Sequence, residues 1–402
     1  MSAVPFHNEH DLRHTCPSCG HKGLRLFYQV DNVPVHSCLM METREEALAF
    51  PRADIVLGFC EKCGFITNVA FDATIEAYAA NYEDQQSFSP TFNKFALDLA
   101  HRLIERYDLH GKDIVEIGCS KGDFLLLLCE LGDNRGVGID PTAVPGRVQS
   151  EAADRVIFIQ DFYSEHHANY HGDLVCCRHT LEHISQTAEF LNTVRRSLGD
   201  RLDTAVFFEV PDVTRVLRDL AFWDIYYEHC SYFSAGSLAR LFRSCDFEVT
   251  DLAWAYGDQY LLIDALPVTA PSDKEQAIEE SPEQMQQYVQ HFSRHVGDKL
   301  RKWRRLLQQA HSEGKRSAVW GSGSKCAAFL TTLDAADYID CIVDINPHRH
   351  GKFIPGVGKE IMPPEFLKEY RPNQVIVMNS IYKNEIQNLL TDMGVATKIL
   401  PL

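Results

Sequence analysis

The run Asp113-Ile-Val-Glu-Ile-Gly118-Cys-Ser-Lys-Gly122-Asp-Phe, followed by four leucines, limits what this chain can fold into more than any other stretch. Its short apolar segment, glycine turn and second apolar segment rich in helix formers spell strand, tight turn and helix. That is the opening unit of a doubly wound α/β domain. In such sheets ligands sit at the carboxyl ends of the strands, and Gly118 and Gly122 allow a ligand to approach the backbone there. Gly136-Val-Gly-Ile-Asp140 then reads as a second strand with a carboxylate at its tip, placed to take both hydroxyls of a ribose.

Glu116 lies inside the first strand and separates two readings. Dinucleotide-binding folds favour G-x-G-x-x-G, whereas Glu116-x-Gly118-x-x-x-Gly122 resembles the class I S-adenosylmethionine (SAM) methyltransferases. A nicotinamide enzyme is the rival class, and a glycine turn in some other α/β unit is the plain alternative. On the SAM reading the cofactor residues are Glu116, Gly118, Cys119 and Gly122 at the loop, Asp140 at the ribose, and Asp161 near the adenine. Asp161 ends a third strand, Val156-Ile-Phe-Ile-Gln160.

Two pairs of cysteines, Cys16-Pro-Ser-Cys19-Gly20 and Cys60-Glu-Lys-Cys63-Gly64, form C-x-x-C-G knuckles, and two knuckles make a closed tetrahedral S₄ zinc site. A four-ligand site has no open position for chemistry, so the metal is expected to be structural, in a small module of short strands. Cys38 is expected to be a free core thiol. Thirteen cysteines, an odd number, with a polar start from Met1 to Arg13 and no long apolar run, point to thiols and metal ligation in the cytoplasm. A formal net charge of -17 argues against nucleic-acid or anionic-membrane partners. A zinc ribbon that docks nucleic acid or another protein is the rival for this module.

Between Phe71 and about His110 the pattern is aromatic and helical, with Tyr78 and Tyr82 expected on one helix face. Asp173-Leu-Val-Cys-Cys177 is a fourth strand that runs into Arg178-His-Thr-Leu-Glu182-His183, which places His179 and His183 beside the methyl donor. After a fifth strand, Val206 to Pro211, the stretch Tyr226-Tyr-Glu228-His229-Cys-Ser-Tyr232-Phe-Ser234 gathers a phenol, a carboxylate and an imidazole. Burying so many polar groups is costly unless each is satisfied, as in an active site. Ser234 is expected to cap the next helix, and Gln276 to about Glu313 reads as long helices. Trp320-Gly321-Ser-Gly323-Ser324-Lys325, with Val343-Asp344, repeats the strand, glycine turn and helix in a smaller C-terminal unit. Gly321, Gly323, Ser324 and Lys325 can cradle a phosphate at a helix N-terminus, and His348, Arg349, His350 and Lys352 add positive charge nearby.

With these residues in view, the chain from Cys16 to its end resembles the three-domain sugar C-methyltransferases. The resemblance implies a zinc-binding domain over 1–70, a class I SAM methyltransferase (Rossmann-like) α/β domain over 71–266, and a helical linker with a C-terminal Rossmann-like substrate domain over 267–402. It implies a small-molecule acceptor, a nucleotide-linked keto-deoxysugar. It assigns the catalytic tyrosine, glutamate and histidine to Tyr226, Glu228 and His229, with Tyr82 and His183 as further members. The nucleotide then falls on Gly321, Gly323, Ser324, Lys325 and Asp344. Two stretches depart from the family pattern: Tyr256-Gly-Asp-Gln-Tyr260-Leu stands where His-Gly-Gly-Ser-Leu-Arg is common, and Gly-Ser-Gly-Ser-Lys replaces Gly-Ala-x-x-Lys. An O- or N-methyltransferase, or a non-catalytic zinc-ribbon protein with a SAM-type domain, remain as alternatives.

Overall fold

The computed structural model describes residues 10–75 and 81–402. Its strands in chain order are β1 (His10–Thr15), β2 (Lys22–Pro34), β3 (Arg52–Phe59), β4 (Ile66–Asn68), β5 (Asp113–Ile117), β6 (Arg135–Ile139), β7 (Val156–Ile159), β8 (Leu174–Arg178) and β9 (Ala205–Pro211). They continue as β10 (Ser231–Tyr232), β11 (Phe247–Ala255), β12 (Tyr260–Pro267), β13 (Ser317–Trp320), β14 (Cys341–Val343), β15 (Ile361–Met362), β16 (Gln374–Val377) and β17 (Lys398–Pro401).

They form three sheets. The central one has the order β11-β12-β9-β8-β5-β6-β7, parallel except that β12 runs against both of its neighbours. The order reverses on either side of β5, so a crevice opens at the carboxyl ends of β5 and β8, where an open α/β sheet binds ligands. The C-terminal sheet, β15-β14-β13-β16-β17, is wholly parallel and has its own reversal at β13. Both sheets are α/β and doubly wound, as the two glycine loops implied.

The N-terminal sheet is antiparallel and borrows its last strand from far along the chain: β10 pairs with β4, Ser231 opposite Thr67 and Tyr232 opposite Ile66. The aromatic stretch after β9 is thereby sewn to the N-terminal module. The linker is one helix, Pro282–Ser312, where a set of helices was expected; Ser281 and Gln284 close its start in a reciprocal capping box. Its buried stripe, Met285, Val289, Phe292, Val296, Leu300 and Leu307, joins a core shared with both outer sheets. Phe292 meets Tyr28 edge to face at 5.1 Å, and Trp303 meets Phe329 at 5.2 Å. Among the described residues after Phe71, helix is confined to less than the pattern suggests. Ala73–Ile75 is a single 3₁₀ turn, residues 82–88 are irregular, and the helix spans Pro90–Tyr107, capped by Ser89. Tyr78, and with it the face shared with Tyr82, lies outside the described residues. Among the described residues no helix is long and apolar enough to cross a membrane.

Candidate active site

One cavity of about 1080 Å³ lies between the central and C-terminal sheets, large enough for two ligands. It is built from two similar cradles with a histidine cluster between them.

The first cradle is the β5 turn. Gly118 and Gly122 hold positive φ, 71° and 86°. A Cβ would lie 1.9 Å from Thr180 Oγ1 at Gly118 and 2.4 Å from Phe158 Cζ at Gly122, so both positions exclude side chains. Asp140 Oδ2 accepts from Ser120 N at 2.8 Å, while Oδ1 accepts from Thr142 N at 2.6 Å. Glu116 is buried, and Oε2 has no donor. Burial pushes its carboxyl up to about 7, against the pull of Arg178. Cys119 is also buried, and burial raises its thiol well above the usual range. Asp161 stands at the rim, with Oδ1 accepting from Phe162 N at 2.8 Å. A carboxylate at the tip of β6, a loop that no side chain can fill and a buried carboxyl with a donor-free oxygen suit a cationic nucleoside cofactor such as SAM.

Between the cradles, Tyr226 and His229 rings lie 4.1 Å apart, and His183 meets His229 at 4.7 Å. Polar atoms of Glu182, His183 and His229 all fall within 4.8 Å of one another. Burial, then His183 and His179, lower the His229 imidazole well below its usual value, which favours its neutral form. Burial, then Glu228, raise the Tyr226 phenol, so it stays a donor. His179 bridges from the cluster to the strand beside it, with Nδ1 3.5 Å from Glu182 Oε1 and Nε2 3.1 Å from Glu209 Oε1. Although burial opposes it, Glu209 drives His179 up to about 9.

Glu228 does not face this cluster. Its carboxylate is buried and accepts from Ser37 N at 3.0 Å, Ser37 Oγ, His36 Nδ1 at 3.1 Å and Tyr82 Oη at 2.9 Å. It ties the N-terminal module to the central domain and holds Tyr82 in place. Glu182 is the acid beside His229.

The second cradle repeats the first. Gly321 N donates to Val343 O at 2.9 Å as Gly118 N does to Ile139 O at 2.8 Å. Asp344 Oδ2 accepts from Ser322 N at 2.7 Å, and Oδ1 from Asn346 N at 2.9 Å. Gly323 is the N-cap of the helix Ser324–Leu333. Ser324 Oγ lies 3.3 Å from Cys38 Sγ, so that buried free thiol marks the boundary with the N-terminal module. Lys325 does not stand alone: Nζ pairs with Asp224, whose other oxygen takes Arg215 Nη1 at 3.2 Å. Two cations share one carboxylate there. Arg349 lines the cavity, whereas Lys352 turns away to Glu42. The departing stretch 256–260 latches the domains together: Gln259 and Asn379 exchange amide hydrogen bonds at 3.1 and 2.9 Å, and Tyr256 Oη meets Tyr382 Oη at 2.6 Å.

Away from the cavity, Cys16, Cys19, Cys60 and Cys63 converge, with Sγ–Sγ separations of 3.7 Å (Cys16–Cys63) and 3.6 Å (Cys19–Cys60). A tetrahedron with Zn–S near 2.3 Å has edges of about 3.8 Å, so the four sulfurs fit such an ion. His36, Ser37, Asp84, Arg215 and Asn346 also shape the site and carried no sequence signal, because each matters only through residues distant in the chain.

Residues 91–252 match a family described as a methyltransferase domain, and residues 268–397 match a C-methyltransferase C-terminal domain. C-methyltransferase NovU of Streptomyces niveus is 27% identical over 389 residues, covering 92% of this chain and 90% of NovU. Among solved structures, a 1,6-didemethyltoxoflavin-N1-methyltransferase from Burkholderia thailandensis with bound S-adenosylhomocysteine is 15% identical. It aligns over 44% of this chain and 81% of its own, with a TM-score of 0.33. A magnesium protoporphyrin IX methyltransferase from Synechocystis is 14% identical, aligned over 44% of this chain and 84% of its own, with a TM-score of 0.35. The central sheet order, the SAM-type loop and the two family matches in tandem make this chain a SAM-dependent methyltransferase, similar in its domain arrangement to the three-domain C-methyltransferases that its motifs resemble.

Proposed function

We propose that the enzyme methylates a carbon beside a ketone of a nucleotide-linked deoxysugar, with His229 as the base that forms the enolate. The observation that carries this reading is the placement of His229 among Tyr226, His183 and Glu182, in one cavity with both glycine cradles. When bound, SAM supplies an electrophilic methyl group. The chain's task is to create a carbon nucleophile and hold it in line, a positioning effect worth up to ~7 to 11 kcal/mol in favourable cases. His229 takes the proton from the acceptor carbon, and Tyr226 and His183 donate toward the enolate oxygen. Glu182 balances the charge on the imidazole pair, and Glu228 keeps Tyr82 pointed at the cavity. Glu116, Gly118, Cys119, Gly122, Asp140 and Asp161 hold the cofactor. Gly321, Gly323, Ser324, Lys325 and Asp344 hold the nucleotide, and Arg215 shares the charge of Lys325 at the phosphates. One zinc on Cys16, Cys19, Cys60 and Cys63 fixes the module over 1–70, ahead of the domains over 71–266 and 267–402.

The test is proton exchange without turnover. With S-adenosylhomocysteine bound, the enzyme in D₂O should wash deuterium into the acceptor carbon, and His229→Asn should abolish this while still binding S-adenosylhomocysteine. Exchange that survives in the variant refutes His229 as the base. Methylation on oxygen or nitrogen would refute the carbon acceptor.

A further inference from the structure

Asp84 lines the cavity on the segment 81–86 and belongs to no motif. Its Oδ1 accepts from Ser120 Oγ at 2.7 Å. Ser120, between Gly118 and Gly122, holds φ at 48°, a left-handed conformation unusual for a residue with a side chain. Two carboxylates keep it there: Asp140 takes its N–H and Asp84 its hydroxyl. The backbone around Asp84 is pinned on both sides. Tyr82 bridges to Leu39, Glu83 N donates to Cys38 O at 2.9 Å, and Gln85 Nε2 donates to Asp123 Oδ2 at 2.9 Å. Glu83 itself is spent on Arg147 Nη2 at 2.6 Å and Asn346 Nδ2 at 2.9 Å. Among the described residues no arginine or lysine forms an ion pair with Asp84. A carboxylate held at the cofactor loop, with no ion-pair partner of its own among the described residues, is placed to take a cation.

SAM offers two positive centres, the α-ammonium and the sulfonium, and only the ammonium carries N–H donors. We infer that Asp84, oriented by Ser120, is the subsite for the α-ammonium at the methionine end of the cofactor. This rests on the SAM reading and adds to it a residue for which no motif stands. The carboxyl group of the methionine would be repelled there, so Asp84 also fixes which way round the amino-acid tail lies. Its neighbours Tyr82 and Glu83 bond Glu228 and, in the second cradle, Asn346.

Binding calorimetry on the full-length protein and on Asp84→Asn, with SAM, S-adenosylhomocysteine and deamino-S-adenosylhomocysteine, tests this. The variant, nearly isosteric, should bind SAM and S-adenosylhomocysteine roughly 10- to 100-fold more weakly, the range for one charge-assisted hydrogen bond, and bind the deamino analogue as the natural protein does. Ser120→Ala should shift affinity in the same pattern by a smaller factor. Equal weakening of all three ligands would make Asp84 a wall of the cavity and overturn the inference. Weakening of SAM alone would assign it to the sulfonium, and no weakening would remove it from the site. Failure of the natural protein to bind S-adenosylhomocysteine would instead refute the cofactor reading itself.

Discussion

Replacing Glu228 by alanine takes the acceptor away from four buried donors: Ser37 N, Ser37 Oγ, His36 Nδ1 and Tyr82 Oη. Two are on the N-terminal module's His36 and Ser37 side of the boundary by backbone and hydroxyl, one is an imidazole beside them, and one is a phenol that faces the cavity. A buried polar group left without a partner costs about 1–3 kcal/mol, and breaking a buried charged network typically costs about 3–5 kcal/mol. Some donors can turn toward one another, so the net expectation is about 3–5 kcal/mol, not the full sum. Glu228→Gln is milder, about 1–3 kcal/mol, because the phenol and the imidazole can each present a lone pair to the new amide while Ser37 keeps its oxygen acceptor. Burial favours the neutral form of Glu228, but its hydrogen bonds from His36 and the charges of His36 and His183 hold the pKa below the usual carboxylate range. Its contribution is therefore complete above the ordinary carboxylate pKa and is lost as pH falls through the lowered one. At pH 7 urea denaturation should show the N-terminal module melting first in Glu228→Ala, at lower urea than in the natural protein, with the glutamine variant between. An alanine variant that unfolds at the same urea concentration as the natural protein would refute the clamp.

The other predictions are independent of that clamp. Gly118→Ala should lose SAM binding and about 2–4 kcal/mol of stability, since its Cβ would lie 1.9 Å from Thr180 Oγ1 and its φ is 71°; near-normal thermal stability would contradict the geometry. Cys60→Ser should release the metal measured by elemental analysis and destabilise the N-terminal sheet, and full zinc retention would remove Cys60 from the ligand set. The Glu116 carboxyl, pushed up to about 7 by burial, predicts that SAM affinity rises with pH through neutrality, because the cationic cofactor favours the ionised carboxylate; Glu116→Gln should flatten that profile, and an unchanged profile would assign the dependence elsewhere.

The features legible in the sequence were local. The knuckle spacing brings four thiols together, Gly118 and Gly122 need positive φ within one turn, and Ser234 caps the helix that follows it. The turns, the cap and each knuckle are properties of a few adjacent residues, and the two knuckles find each other because both carry the same spacing. The roles of polar groups were less legible because their partners lie far away: Glu228 is beside His229 in sequence yet bonds His36 and Ser37, and Lys325 bonds Asp224 in another sheet's loop. Glu182 stood next to His183 in the sequence, but only the fold brings it to His229. The aromatic run after Phe71 read as helix through its spacing. Tertiary contacts instead hold 82–88 as an irregular strap, with Tyr82 bridged to Leu39.

The central claim, methyl transfer to carbon, is tested most directly by the position of the new methyl group. Incubation with SAM labelled with ¹³C at its methyl and a panel of nucleotide-linked keto-deoxysugars, followed by ¹³C NMR of the product, reads it without further assumption. The label should resonate as a methyl bonded to carbon, on the carbon next to the ketone, with loss of that carbon's proton. A label resonating as an O-methyl or N-methyl group would contradict it.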